Sequence, residues 1–162
     1  MLARKLTLQC HEVIGIDSDR NTLAQTSSGL GVTFLEGDAM TYPFPEASFD
    51  FISLVATLHH LPLRPGLIRF RDLLRPGGTL AIIGLYRRHT VADYCWAAAA
   101  IPADRIMVRI RGHIGPRAPI RDPKETLAEI RSACDSVLPG GIFKRRLFFR
   151  YSFIWTKPRG NN

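Results

Sequence analysis

Asp17, Asp38 and the pair His59-His60 are the residues whose types and positions could do chemistry. Each acid follows an apolar run, Val13-Ile14-Gly15-Ile16 for the first and Val32-Thr33-Phe34-Leu35 with Glu36-Gly37 for the second. A third run, Phe49 to Ala56, leads into Thr57-Leu58-His59-His60-Leu61. A short run rich in Val, Ile and Phe that stops at turn residues reads as a buried strand of a parallel sheet. Such sheets bind ligands at the carboxyl ends of their strands. A carboxylate placed there can accept two hydrogen bonds from a ribose diol, which is the chemistry open to Asp17. Asp38, one strand end further on, is placed to reach an attached base. A histidine at the mouth of such a site could take a proton from a hydroxyl or a carbon acid. It could equally close the strand-to-helix turn by a backbone hydrogen bond, and the residues alone do not choose between His59 and His60.

The elements that must position these groups alternate along the chain. Leu2 to Gln9 reads as the end of a helix, and Ser18 or Asp19 as the N-cap of a short helix over Arg20 to Gln25. Gly29-Leu30-Gly31 precedes a strand and is a turn. Pro65 is expected at the first position of a helix whose apolar stripe is Leu67, Phe70, Leu73 and Leu74. Pro76-Gly77-Gly78 then turns the chain into a buried strand from Thr79 to Leu85. Val91 to Ile101 is expected to be helical, whereas Arg105 to Arg121 shows no sustained period. Asp122-Pro123-Lys124-Glu125 predicts a helix start with Asp122 as cap and Glu125 reaching back, and Pro139-Gly140-Gly141 its end. Ile142 to Thr156 reads as two strands with a turn near Phe149-Arg150. This alternation argues for an open α/β sheet.

Composition narrows the class further. The 162 residues suit one domain over 1–158 with a frayed tail at 159–162, and 46% hydrophobic content fits a globular chain. Cys10, Cys95 and Cys134 form no C-x-x-C pair, so neither a disulfide framework nor a metal site is expected. The longest apolar run is too short for a membrane span and no signal-peptide core is present, which predicts a cytoplasmic protein. The net charge of +8 lies wholly beyond residue 100, where 13 Lys/Arg face 5 Asp/Glu. That imbalance suits a solvated basic surface, with nucleic acid or an anionic substrate as alternatives. Arg109, Arg111 and His113 could hold a carboxylate or phosphate, and Tyr94 and Trp96 could line an aromatic pocket.

Asp17, Gly37-Asp38-Ala39, Pro43 to Asp50, Leu58-His59-His60-Leu61 and Leu74-Arg75-Pro76-Gly77-Gly78 follow one another in an order that resembles the class I S-adenosylmethionine-dependent methyltransferases. The small-molecule branch, with enzymes of ubiquinone and menaquinone biosynthesis, is the nearest in pattern. The resemblance implies a Rossmann-like sheet of order 3-2-1-4-5-7-6, mostly parallel with one antiparallel strand near the C-terminus. It implies S-adenosylmethionine as cofactor and a small-molecule methyl acceptor. By the same resemblance Asp17, with Ser18 beside it, binds the ribose hydroxyls, Asp38 and the Ala39 N–H contact adenine, and the main chain of Val55 and Ala56 passes under the cofactor. Counted back from Asp17, the chain starts inside the helix that follows the family's first strand and glycine-rich loop. The central strand is therefore expected to be missing, the domain to be truncated, and cofactor binding to be impaired.

Methyl transfer from a sulfonium needs no catalytic triad, because the cofactor carries the reactivity. A short-chain dehydrogenase would need a Tyr-x-x-x-Lys pair, yet Tyr42, Tyr86, Tyr94 and Tyr151 precede Glu46, Thr90, Ala98 and Trp155 at that spacing. The alternatives are a methyltransferase-like remnant that only binds a partner, or an RNA or DNA methyltransferase using the basic half. Asp50 reads as structural.

Overall fold

The computed structural model describes residues 5–24, 31–87, 122–146 and 150–160. The expected helix over Val91 to Ile101, and with it Tyr94, Trp96, Arg109, Arg111 and His113, lies outside the described residues. The chain divides into two compact units, residues 1–43 and 44–162.

In the first unit, β1 (Val13–Asp17) pairs in parallel with β2 (Val32–Glu36), Val13 opposite Val32 and Asp17 opposite Glu36. Their carboxyl ends therefore coincide. Gly15 lies opposite Phe34, and a Cβ on Gly15 would sit 2.7 Å from the Phe34 ring, so the glycine makes room for that side chain. Lys5 and Leu6 are helical and end in a turn closed by Gln9 and Cys10 N–H on Leu6 O. A short α1 (Arg20–Ala24) connects the strands.

The second unit has a four-stranded sheet of order β3-β4-β6-β5, with its described helices on one face. Its strands are β3 (Phe49–Val55), β4 (Leu74–Leu85), β5 (Ile142–Arg146) and β6 (Arg150–Thr156). β3 and β4 are parallel, while β6 runs against both β4 and β5 and is the one reversed strand among the described strands of this sheet. Within the second unit, the order β3-β4-β6-β5 with β6 reversed is that of the last four strands, 4-5-7-6, of the order expected above.

Alternation along the strands sorts the second sheet into two faces. Leu54, Leu80, Ile82, Tyr151, Phe153 and Trp155 are buried on the face covered by α2 (Leu63–Leu73) and α3 (Leu127–Val137). Leu67, Phe70, Leu73, Ile130, Cys134 and Leu138 complete this core, each fully buried aliphatic or aromatic side chain contributing ~1.5–3 kcal/mol. Burial pushes the Cys134 thiol up to about 12, with Asp135 adding to it, so this cysteine is an inert packing residue. A Cβ on Gly84 would collide with the Tyr151 ring, and one on Gly141 with Phe153.

Three expected boundaries move. α2 starts at Leu63 with Pro62 as N-cap, so Pro65 stands third in the helix and not first. It is tolerated there because the first backbone N–H groups of a helix have no intrahelical acceptor. β4 starts at Leu74, before Pro76-Gly77-Gly78. Its pairing jumps from Phe49↔Leu74 to Phe51↔Thr79, so Arg75 to Gly78 bulge out of the ladder, with Gly77 at φ +85°. Asp50 takes a two-oxygen hydrogen bond from Arg75 across this bulge, 2.8 and 3.1 Å, which gives it the structural role expected.

The third shift is the cap of α3, which is Thr126 and not Asp122. Thr126 Oγ1 accepts from Glu129 N–H and the Glu129 carboxylate accepts from Thr126 N–H, a complete capping box. The sequence carries two overlapping signals here, and the sheet selects one. Arg87 N–H donates to Glu125 O and Arg87 bridges Thr126, which holds the segment extended up to the cap. Thr126→Ala should therefore cost ~1 kcal/mol in urea denaturation, while Asp122→Ala should change stability by no more than ~0.5 kcal/mol.

Candidate functional site

Asp17 ends β1 half-buried, and its Oδ1 accepts the Asp19 N–H at 2.9 Å. No described residue donates to its other oxygen. The capping of α1 falls to Asp19, whose carboxylate accepts from Asn21 N–H and from the Thr22 hydroxyl at 2.8 Å. The Thr22 hydrogen bond, then the Asn21 N–H, hold the Asp19 carboxyl below its ordinary value. Asp17 is thus released from the helix it precedes. Ser18 between them is exposed.

Asp38 follows β2 and organises the next loop. Its Oδ1 accepts the Met40 N–H at 2.8 Å, and its carbonyl accepts from Thr41 and Tyr42 N–H. The loop-capping role is therefore real, and it engages one carboxylate oxygen only. Ala39, half-buried, follows in the turn. Gly37 is required, since a Cβ there would sit 2.7 Å from the Tyr42 ring. Within the first unit the structure thus brings Asp17 and Asp38 to one edge, each with one oxygen tied to a backbone N–H. Neighbouring parallel strands are ~4.8 Å apart, a spacing that suits two groups addressing one nucleoside.

The second unit carries Val55, Ala56, His59 and His60. Val55 is exposed at the end of β3, and Ala56 has φ +52° although it is not glycine. Left-handed backbone costs an L-residue ~1–2 kcal/mol, and strain of this kind collects at binding sites. The conformation is held by Ala56 N–H on Ile83 O at 2.8 Å, which anchors the strand end to β4. The turn then continues as one 3₁₀ turn, Leu58–His60, with Leu58 buried beneath it.

The structure separates the two histidines that the sequence could not. Their rings lie 4.0 Å apart between centroids, tilted by 40°. His60 is exposed. His59 is half-buried, its Nδ1 inaccessible to solvent and without a partner among the described residues. Burial, and secondarily the charge of His60, hold the His59 imidazole below its ordinary pKa. His59 is consequently neutral at pH 7 and able to accept a proton. Among the described residues, His59 Nδ1 makes no hydrogen bond to the backbone of the turn.

Two outcomes follow for this edge. Ala56→Gly should relieve the backbone strain and raise the unfolding free energy by ~0.5–1 kcal/mol in denaturant titrations. For His59 the sign follows from its depressed pKa. Below pH 6.5, its ordinary value, the unfolded chain takes up a proton that the folded chain resists, so stability declines as the pH falls. Urea midpoints measured from pH 7.5 to 5.0 should drop less steeply in His59→Gln than in the wild type.

The chain is similar to known proteins. A family profile described as a methyltransferase domain matches residues 1–82. An uncharacterized methyltransferase of Mycobacterium tuberculosis is 32% identical over 163 residues, spanning 98% of this chain and 82% of that protein. The 27-O-demethylrifamycin SV methyltransferase of Amycolatopsis mediterranei is 48% identical over 52 residues, 32% of this chain and 19% of the enzyme. Among solved structures, human N-acetylserotonin methyltransferase in complex with S-adenosylmethionine shares the fold with a TM-score of 0.59 at 17% identity. That similarity spans 94% of this chain but only 43% of the human chain, under half of its length. With the profile covering half of the sequence and the mycobacterial relative nearly all of it, the chain belongs to the methyltransferase domain family of class I S-adenosylmethionine-dependent enzymes.

Proposed function

We propose that this chain binds S-adenosylmethionine through Asp17 and Asp38 and serves methyl transfer to a small-molecule acceptor. The observation that carries this reading is the half-engaged state of the two carboxylates. Asp17 and Asp38 follow adjacent parallel strands, and each keeps one oxygen that no described residue donates to. A ribose diol presents two O–H donors and adenine an amino group, so the residues present fit the adenosine part of the cofactor. The relatives named for a rifamycin and for N-acetylserotonin support a small organic acceptor.

When bound, S-adenosylmethionine supplies an electrophilic methyl group on a sulfonium, so the leaving side needs no acid. What remains for the protein is orientation and the proton of the acceptor. Asp17 fixes the ribose and with it the direction of the adenosyl moiety. In the second unit, Ala56 gives the main chain at the end of β3 a shape set by its bond to Ile83. His59, neutral and next to this strand end, takes the proton from an acceptor hydroxyl, amine or carbon acid as it is alkylated. Ser18 and Ala39 complete the cofactor contacts through the turns that hold Asp17 and Asp38. Among the described residues no helix is long and apolar enough to cross a membrane.

Asp17→Ala tests the assignment. Hydrogen bonds to a charged acceptor contribute ~1.5–3 kcal/mol, so the variant should bind S-adenosylmethionine roughly 10- to 150-fold more weakly by calorimetry. Asp19→Ala, which removes the helix cap, should leave cofactor affinity nearly unchanged while lowering stability. An unaltered dissociation constant in folded Asp17→Ala would return that residue to turn formation.

A further inference from the structure

We infer that the methyl acceptor is an amphipathic organic anion, held by cations on the face of the second sheet that no described helix covers. This rests on the methyl-transfer reading above. That face carries Val55, Ile83, Ser152 and Lys144 in one cross-strand row, because Val55 pairs with Ile83, Ile83 with Ser152, and Ser152 with Lys144. The next row toward the carboxyl end of β4 is Leu85, Arg150 and Arg146. Arg87 extends it with the same alternation. Apolar surface at the end of β3 thus passes, along one row, into a cationic surface at the end of the hairpin.

The like charges are the informative feature. Arg146, whose Nε donates to the Ser152 hydroxyl at 2.8 Å, stands directly opposite Arg150 in the antiparallel ladder, with Lys144 on the diagonal. Like charges at such positions destabilise a sheet. A local arrangement that opposes folding is expected where function needs it. Arg87, Lys144 and Arg150 are exposed, and no carboxylate among the described residues pairs with them. Arg145, between two of these cations in sequence, shows the contrast. It points to the other face, where it donates to the Tyr86 hydroxyl at 3.0 Å and lies over that ring.

The occupant follows from what the two rows complement. Val55 and Ile83 are 50% and 44% exposed, a pair of large aliphatic groups beside the strand end that His59 follows. They suit the apolar or aromatic body of a small molecule. Strands are ~4.8 Å apart, so Arg150 stands ~10 Å and Lys144 ~14 Å across the sheet from β3. An acceptor whose reacting atom is near Ala56 would therefore place its acid group ~10–14 Å away, within the span of a two- or three-ring molecule. Guanidinium and ammonium groups recognise carboxylate and phosphate alike.

The test uses the whole 162-residue chain without cofactor, so that it does not depend on Asp17. Binding of 1-naphthoate, 1-naphthyl phosphate and the neutral methyl 1-naphthoate is measured by calorimetry in wild type and in a Lys144→Gln/Arg150→Gln variant. The anions should bind wild type at least about tenfold more tightly than the ester, and the variant should lose that advantage. The tighter of the two anions names the acid group. Thermal melting of the variant should be unchanged or raised, because like-charge repulsion is relieved, which separates lost binding from lost folding. Equal affinity for ester and anions, or anion binding undiminished in the folded variant, overturns the inference. So does a single-stranded oligonucleotide that binds tightly and loses affinity with the same substitutions while the naphthyl anions do not bind. Cofactor affinity in Asp17→Ala is read separately, so a failure of the cofactor assignment shows in that variant and a failure of the anion row in this one.

Discussion

β4 is the strand on which the second unit depends. It gives one edge to β3 in parallel and the other to β6 in antiparallel, so its direction decides which groups share an end of the sheet. The parallel pairing puts Val55, Ala56 and the histidine turn at the carboxyl end of β4. The reversed pairing brings Arg150, the first residue of β6, to the same end. Its other face is a packing constraint. Gly84 is bare because Tyr151 fills the place of its side chain, and Leu80 and Ile82 close the layer against α2. Lys157 completes the arrangement by donating to the carbonyls of Arg71 and Leu74, where α2 passes directly into β4.

The site edges are built from economical local contacts. At the end of β1 and after β2 a carboxylate spends one oxygen on the backbone N–H two residues ahead and keeps the other. Under the proposed function, a turn tied in this way before a ligand arrives lowers the ordering cost of binding. Asp19 takes over the helix cap that would otherwise consume Asp17. At the end of β3 the device is strain, Ala56 being held in the left-handed region by a single bond to β4. His59 follows a similar logic. Partial burial lowers its proton affinity and keeps it neutral, whereas its neighbour His60 stays in solvent.

Much of this was legible in the residues, and the legible part is local or ordered along the chain. The strand ends at Asp17 and Asp38, the reversed strand near the C-terminus, the structural role of Asp50 and the family itself follow from apolar runs, turn residues and the succession of short motifs. Helix starts were legible only up to a choice. Asp122 with Glu125 and Thr126 with Glu129 both satisfy a capping pattern, and nothing in the string says which backbone will be extended. Nor does any propensity mark Ala56, since alanine carries no preference for positive φ.

The sequence by itself determined which residues could cap, pair or bury, because those preferences are set by side-chain chemistry and spacing. Only the tertiary structure decided which of the two candidates acted. The contact of Arg87 with Glu125 and Thr126 chose the cap of α3, and burial of one imidazole distinguished His59 from His60. The ladder of β4, β6 and β5 gathered Lys144, Arg146 and Arg150 on one face and turned Arg145 to the other. These outcomes depend on pairing register and on solvent exclusion, and both are properties of segments far apart in the chain that meet only when it folds.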